Sequence, residues 1–147
     1  MDYHIRAMEE KDIPCVSDIE KQIFSLPWSE KSFLDAAAKD ENVYLVCECT
    51  GEIAGYCGMW TVMGEGNVTN VAVSPLYRRR GVAKALISEM EKRAKEKNVT
   101  VFFLEVRQSN EAAKELYKNL GYNPIGTRKR FYEKPVEDAI VMSKIIS

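Results

Sequence analysis

One histidine and four cysteines are all the imidazole and thiol side chains in 147 residues, and their spacing argues against a zinc-type metal centre. Cys47 and Cys49 stand two apart, Cys57 follows after a turn, and His4 is far upstream. Zinc sites instead use C-x2-C pairs completed by further Cys or His. No metal is expected, and Cys15, Cys47, Cys49 and Cys57 read as free thiols in a reducing compartment, acting as small hydrophobes. Long apolar runs are missing: none approaches the roughly 18 residues a membrane-spanning helix needs. The opening Met1-Asp2-Tyr3-His4-Ile5-Arg6 is not the basic-then-apolar start of a secretion signal. A cytoplasmic protein without membrane contact is expected. An excess of one charge is missing too, since 21 Lys and Arg against 22 Asp and Glu leave a net charge of -1. That balance lacks the even positive field with which a general nucleic-acid binder neutralises phosphates, so no direct nucleic-acid binding is expected. Repeats, low-complexity tracts and linkers are absent, and a chain of this length suits one domain, 1–147. Its 46% hydrophobic content supplies the core of a chain that buries about 70% of its unfolded surface.

Within that domain His4 to Met8 predicts a short strand. Asp12 can cap a helix whose apolar side is Ile13, Val16, Ile19, Ile23 and Phe24, with Pro14 in its first turn and Leu26-Pro27 at its end. Ser29 opens a second helix to Ala38, and Val43 to Cys49 and Ile53 to Met63 predict a hairpin around Thr50-Gly51. Gly64-Glu65-Gly66 predicts a turn before a strand from Val68 to Val73, which Ser74-Pro75 stops. A strand, helix, strand unit follows. Gly81 to Lys97 places Val82, Ala83, Leu86, Ile87, Met90 and Ala94 at helical spacing. The nearly unbroken apolar run Val99 to Val106 predicts a strand covered on both faces and parallel to its predecessor. A helix over Asn110 to Leu120, capped by Ser109 or Asn110 and stopped by Gly121, precedes strands near Tyr122 to Tyr132 and Ala139 to Ile145. The sum is a mixed α/β sheet, antiparallel in its first half.

Chemistry concentrates where the strand at Val71-Ala72-Val73 turns through Arg78-Arg79-Arg80-Gly81 into the long helix of Val82, Ala83 and Lys84. A glycine-bearing turn opening a helix presents unpaired N–H groups and the positive dipole end, which together bind phosphate oxygens. The segment is neither a Walker A loop nor a G-x-G-x-x-G fingerprint, and Arg-rich loops are as often plain solvated surface. The next strand adds a carboxylate, Glu105, inside an apolar run, where burial without a partner is costly. It either pairs with Arg107, two residues on, or ends in a crevice beside the phosphate turn, since parallel crossover strands end at one edge of the sheet. Asn110 and Tyr117 read equally as a helix cap and a core aromatic or as side chains of that crevice.

The run Arg78-x-x-Gly81-x-Ala83 after a strand resembles the acyl-CoA signature of the GCN5-related N-acetyltransferases (GNAT). Leu26-Pro27-Trp28-Ser29 with Phe33, Leu104-Glu105-Val106-Arg107-x-Ser109-Asn110, Ala113 with Leu116-Tyr117, and Glu137-Asp138-Ala139 are similar to the RimI-type ribosomal-protein-alanine branch. That resemblance implies a GNAT-like α/β (α+β) fold, a mixed sheet of six to seven strands with about four helices. It implies acetyl-CoA as co-substrate, with Val71, Ala72 and Val73 holding its acetyl and pantetheine portion. Arg78 would begin a pyrophosphate turn made of Arg79, Arg80, Gly81, Val82, Ala83 and Lys84, and Asn110 would also touch acetyl-CoA. Glu105 would be the base that takes the acceptor amine's proton, and Tyr117, also touching the cofactor, the acid that protonates the CoA thiolate. Trp28 and Tyr132 would shape the acceptor groove. Only Glu133-Lys134-Pro135-Val136 separate Tyr132 from Glu137, a shorter connection than many relatives carry.

These residue types suit the reaction, because a carboxylate can take an amine proton and a phenol of pKa ~10 can donate one. The implied acceptor is the N-terminal alanine of a small-subunit ribosomal protein, or another protein N-terminus. One base, with no second carboxylate in view near it, matches an α-amine (pKa ~8) better than a lysine (~10.4). Two alternatives remain at this point, a protein-lysine or small-amine acetyltransferase and a non-catalytic acyl-CoA-binding regulatory module.

Overall fold

Hydrophobic alternation of period two in the strands and 3.6 in the helices makes a two-faced sheet with a helical layer on each side. In the computed structural model, which describes residues 2–146, strands β1 (Tyr3–Ala7), β2 (Val43–Cys49), β3 (Glu52–Val62), β4 (Glu65–Val73), β5 (Val101–Arg107), β6 (Asn123–Tyr132) and β7 (Glu137–Ile145) form one seven-stranded sheet. Their order is β1-β2-β3-β4-β5-β7-β6, and every neighbouring pair is antiparallel except β4 and β5. The helices are α1 (Ile13–Ile23), α2 (Glu30–Ala37), α3 (Val82–Glu96) and α4 (Glu111–Asn119). Among the described residues no helix is long and apolar enough to cross a membrane.

Strand β2 shows how the layers are built. Val43, Leu45, Cys47 and Cys49 enter the core under α3, while Tyr44 and Val46 enter the core under α1 and α2. On the first side Leu86, Ile87 and Met90 of α3 are fully buried, each contributing about 1.5–3 kcal/mol of transfer free energy. Cys47, Cys49 and Cys57 are buried there as small apolar groups, whereas Cys15 lies exposed on α1. The hairpins β2–β3 and β3–β4 turn on Thr50-Gly51 and Met63-Gly64, residue pairs with positive φ, the geometry that matches the twist of paired strands.

Several sequence expectations are corrected. Strand β4 begins at Glu65, before the turn predicted at Gly64-Glu65-Gly66 would have ended. Gly66 is a strand residue whose added Cβ would come within 2.6 Å of the Met59 sulfur, so close packing and not turn geometry requires glycine there. Helix α1 stops at Ile23, and Phe24 is extended and 37% exposed instead of extending the apolar face. Asp12 does not cap α1 with its side chain. Its carboxylate instead takes two hydrogen bonds from Arg6, at 2.7 and 2.9 Å, and one from the Glu9 amide. Strand β5 is not covered equally on both faces: Phe102, Leu104 and Val106 are buried, while Val101, Phe103, Glu105 and Arg107 are half-buried.

The parallel pairing of β4 with β5 is also shorter than expected, and this positions the site. It covers only Glu65 to Asn67 against Val101 to Phe103. Beyond Asn67 and Phe103 the strands part, although β4 continues along β3 to Val73 and β5 along β7 to Arg107. A wedge opens in the middle of the sheet, and each of its two walls is a strand edge with backbone groups unpaired toward the gap. The opening coincides with a bulge: Gly58 faces Asn70 and Met59 faces Val68, which leaves Thr69 as an extra residue in β4. Bulges of this kind bend a strand and re-aim its side chains.

Candidate active site

The wedge is the floor of a cleft of about 690 Å³, lined by Val68 to Val71 of β4, Leu104 to Arg107 of β5, Asn110 just before α4 and Tyr117 within it, Trp28, and the end of β6 with the connection after it, from Phe131 to Pro135. It gathers Glu105, Tyr117, Asn110, Val71, Trp28 and Tyr132 from five separate stretches of chain. Glu105 is half-buried there and among the described residues makes no hydrogen bond or ion pair. The pairing with Arg107 that the sequence left open does not occur. Arg107 instead bonds to Glu137 at 3.1 Å and to the carbonyls of Pro135 and Glu133 at 3.0 Å each. Its guanidinium also lies 4.5 Å from the centre of the Tyr132 ring. Arg107 therefore ties the β6–β7 connection down over the cleft. Glu137, held below the usual carboxyl range first by hydrogen bonds from Ser109 and then by Arg107, completes the tie.

Tyr117 is both things the sequence allowed. Its ring packs edge-on against Tyr122 at 5.8 Å, and it also lines the cleft. Burial, with smaller contributions from Tyr132 and Cys57, pushes its phenol well above the ordinary range, so the hydroxyl keeps its proton throughout neutral pH. Tyr132 is pushed up to about 12 by burial and by the charge of Glu105. Asn110 caps α4, its side-chain oxygen accepting from the Ala113 amide at 3.1 Å, which leaves only its NH2 group for a ligand.

The cleft also holds a carboxylate that the sequence reading missed. Glu20 of α1 is 2% exposed and lines the same cavity, so a second carboxylate stands in the cleft with Glu105. It is fully engaged: the Tyr56 hydroxyl donates to it at 2.7 Å, the Trp28 amide at 3.0 Å, and the Asn70 side chain more weakly at 3.5 Å. Burial first, and then Glu20, drives the Tyr56 phenol far above its ordinary range, so Tyr56 stays the donor. Glu20 thereby pins the loop after α1, with Trp28, to the sheet. The signal was present in the sequence, since Glu20 falls four residues after Val16, at core spacing on the helix. Asn70, a polar residue in an apolar strand, is likewise buried, with its Oδ1 unpartnered.

The glycine turn lies apart from this cavity. Gly81 is left-handed (φ 76) and caps α3 without a side-chain bond, so the amides of Val82, Ala83 and Lys84 have no partner within the helix. An added Cβ at Gly81 would meet nothing within 4 Å, which leaves the helix start open to an incoming group. Arg78, Arg79 and Lys84 surround it and are exposed, and the guanidinium of Arg80 lies 5.7 Å from the Tyr77 ring centre. Val82 and Ala72 have buried side chains and can offer a ligand only backbone. Val71 connects the two regions, as strand β4 runs from the cleft towards the turn.

The acetyltransferase (GNAT) family model matches residues 13–122. A ribosomal protein bS18-alanine N-acetyltransferase of Escherichia coli is 35% identical over 147 residues, covering 97% of each chain. A Bacillus subtilis protein that bears the same name provisionally is 40% identical over 139 residues, 94% of this chain and 92% of its own. The crystal structure of the ribosomal-protein-S18-alanine N-acetyltransferase from Escherichia coli superposes with a TM-score of 0.92 at 32% identity, over 99% of this chain and 95% of that one.

Proposed function

The chain belongs to the acetyltransferase (GNAT) family, and on that premise we propose that residues 1–147 are one catalytic domain transferring acetyl from acetyl-CoA to the N-terminal α-amine of a protein in the cytoplasm. The acceptor we assign is the N-terminal alanine of ribosomal protein bS18, for which the Escherichia coli relative is named. The observation that carries the reading is the juxtaposition in one cleft of an unpaired carboxylate, Glu105, with a buried proton-bearing phenol, Tyr117.

Acetyl-CoA supplies the thioester, and the chain fits it at three places. The parted edges of β4 and β5 suit an extended ligand bearing amide groups, which can pair with a strand edge as another strand would. Val71 offers such an edge inside the cleft, continued by Ala72 and Val73. The open start of α3, with Arg78, Arg79, Arg80 and Lys84 around Gly81, suits a pyrophosphate. Asn110 has a free NH2 group at the cleft. Glu105 accepts the proton of the attacking amine at a carboxylate oxygen, directly or through a water. The hydroxyl of Tyr117 donates to the departing sulfur, and because burial opposes loss of its proton it acts as a firm hydrogen-bond donor there. Trp28, held by Glu20, and Tyr132, held by Arg107, form the two sides between which the acceptor enters.

The choice of amine follows from proton affinity. An α-amine and a lysine differ by about 2.5 pKa units, roughly 3.5 kcal/mol of deprotonation at neutral pH. Glu20 cannot make up that difference as a second base, because three donors already occupy it. A peptide beginning with unblocked alanine and carrying an internal lysine should therefore be acetylated on the α-amine at least about tenfold faster. Mass spectrometry of the product tests this, and predominant lysine acetylation would move the function to a lysine acetyltransferase.

A further inference from the structure

A second groove, of about 520 Å³, shares the indole of Trp28 as a wall with the acceptor cleft. Its other sides are one face of α2, at Ser32, Asp35 and Ala36, and the end of β3 from Trp60 to Val62. The reaction as derived uses none of this surface. Trp60 is nevertheless 47% exposed and Val62 60%, and contiguous apolar surface with an exposed indole is the composition of binding patches.

The groove is also held rigid. The Asn42 side chain donates to the Ala36 carbonyl of α2 at 3.0 Å and accepts from the Thr61 amide of β3 at 3.2 Å. The Thr61 hydroxyl donates to the Glu41 carbonyl. Asn42 thus bridges α2 and β3, so the two cannot separate without loss of its bond to one of them, and a ligand meets a preformed slot in which little binding energy goes into ordering. The ring centres of Trp60 and Trp28 lie 6.1 Å apart, tilted by 36°, so the two indoles make the join between the cleft and the groove, whose walls otherwise mix Ala36 and Val62 with polar and charged side chains such as Asp35 and Lys39.

That join identifies the occupant. A polypeptide with its first residue in the cleft has to leave it, and an extended chain advances about 3.3 Å per residue with alternate side chains on one wall. We propose that the groove between α2 and the end of β3 receives the acceptor polypeptide downstream of its N-terminal residues, with an apolar or aromatic side chain of that segment resting on Trp60. This rests on the assignment of a protein α-amine as acceptor, and it makes the enzyme a reader of a stretch of sequence as well as of a first residue.

The test compares a ten-residue peptide that begins with alanine and carries aromatic side chains at positions four to eight with the tripeptide of its first three residues. For the wild type, kcat/KM for the longer peptide should exceed that for the tripeptide by at least about tenfold, the scale of one truncated hot-spot contact. Trp60→Ala should remove that advantage while leaving the tripeptide rate within about twofold. Val62→Glu, which lies farther along the groove, should do the same if Trp60→Ala folds poorly. Binding is read separately, by calorimetry of the same peptides without acetyl-CoA. Acetylation of both peptides at equal efficiency would overturn the groove and leave the α-amine reading standing. Binding of the longer peptide that depends on Trp60, without acetylation, would support the groove and overturn that reading. Neither binding nor acetylation would overturn both.

Discussion

At the scale of single residues the site depends on which groups have partners. Glu105 has none among the described residues, and Tyr117 keeps its proton by burial. Glu105→Gln should lower turnover at pH 7 by about 10²- to 10⁴-fold, the usual contribution of a general base, with the acetyl-CoA Michaelis constant nearly unchanged. Part of that loss should return as the pH rises past about 8, because the α-amine then deprotonates without help. Tyr117→Phe should stay slow across the same range, since no increase in pH restores a missing donor. Steady-state kinetics from pH 6 to pH 10 separate the two, and wild-type turnover in both variants would remove the assigned roles. Glu105 could be picked out in the sequence because a carboxylate that interrupts an apolar strand needs a reason. Glu20 escaped because a helix read only for its apolar positions hides a carboxylate on the same face.

At the scale of elements, the start of α3 and the parted strands carry the acetyl-CoA assignment. Gly81→Glu puts a negative side chain at an open helix start, and a left-handed residue there costs a non-glycine about 1–2 kcal/mol. Acetyl-CoA affinity should fall at least about tenfold by calorimetry. Gly81→Asn, neutral and tolerant of that backbone region, should keep most of it. Unchanged affinity in folded Gly81→Glu would take the pyrophosphate away from this turn. The helix itself was legible from its apolar spacing, and so were the two hairpins from their turn residues. The extent of the β4–β5 pairing was not, because apolar strands look the same in sequence whether their edges are paired or apart.

The whole molecule depends on pH through a tie far from the cleft. Arg6 of β1 joins Asp12 before α1 to Glu48 of β2, and these bonds, Arg6 first, hold the Asp12 carboxyl below its usual range. A carboxyl with a lowered folded pKa adds stability that is complete above its unfolded value, about 3.9. That stability is lost as the pH falls through the folded pKa. Asp12→Asn should therefore lose about 1.5–3 kcal/mol at pH 7, the range for hydrogen bonds to charged groups. At about 2–4 °C per kcal/mol for a chain of this size, the melting temperature should drop by roughly 3–12 °C. The gap from wild type should narrow at pH 3 and below. Urea unfolding at pH 7, 5 and 3 checks the sign, and a gap that widened in acid would contradict it.

By itself the sequence determined the alternation that makes a two-faced sheet, the turns, the long helix and its glycine start, and the blocks that mark an acetyltransferase. All of these are local or periodic, so a few neighbouring residues specify them. Only the tertiary structure decided that β4 and β5 part after three residue pairs, that Arg107 bonds to Glu137 and leaves Glu105 unpaired, and that Glu20 reaches Tyr56 and Trp28. Those outcomes depend on distances between segments far apart in the chain, where any of several partners satisfies the same chemistry and packing selects one.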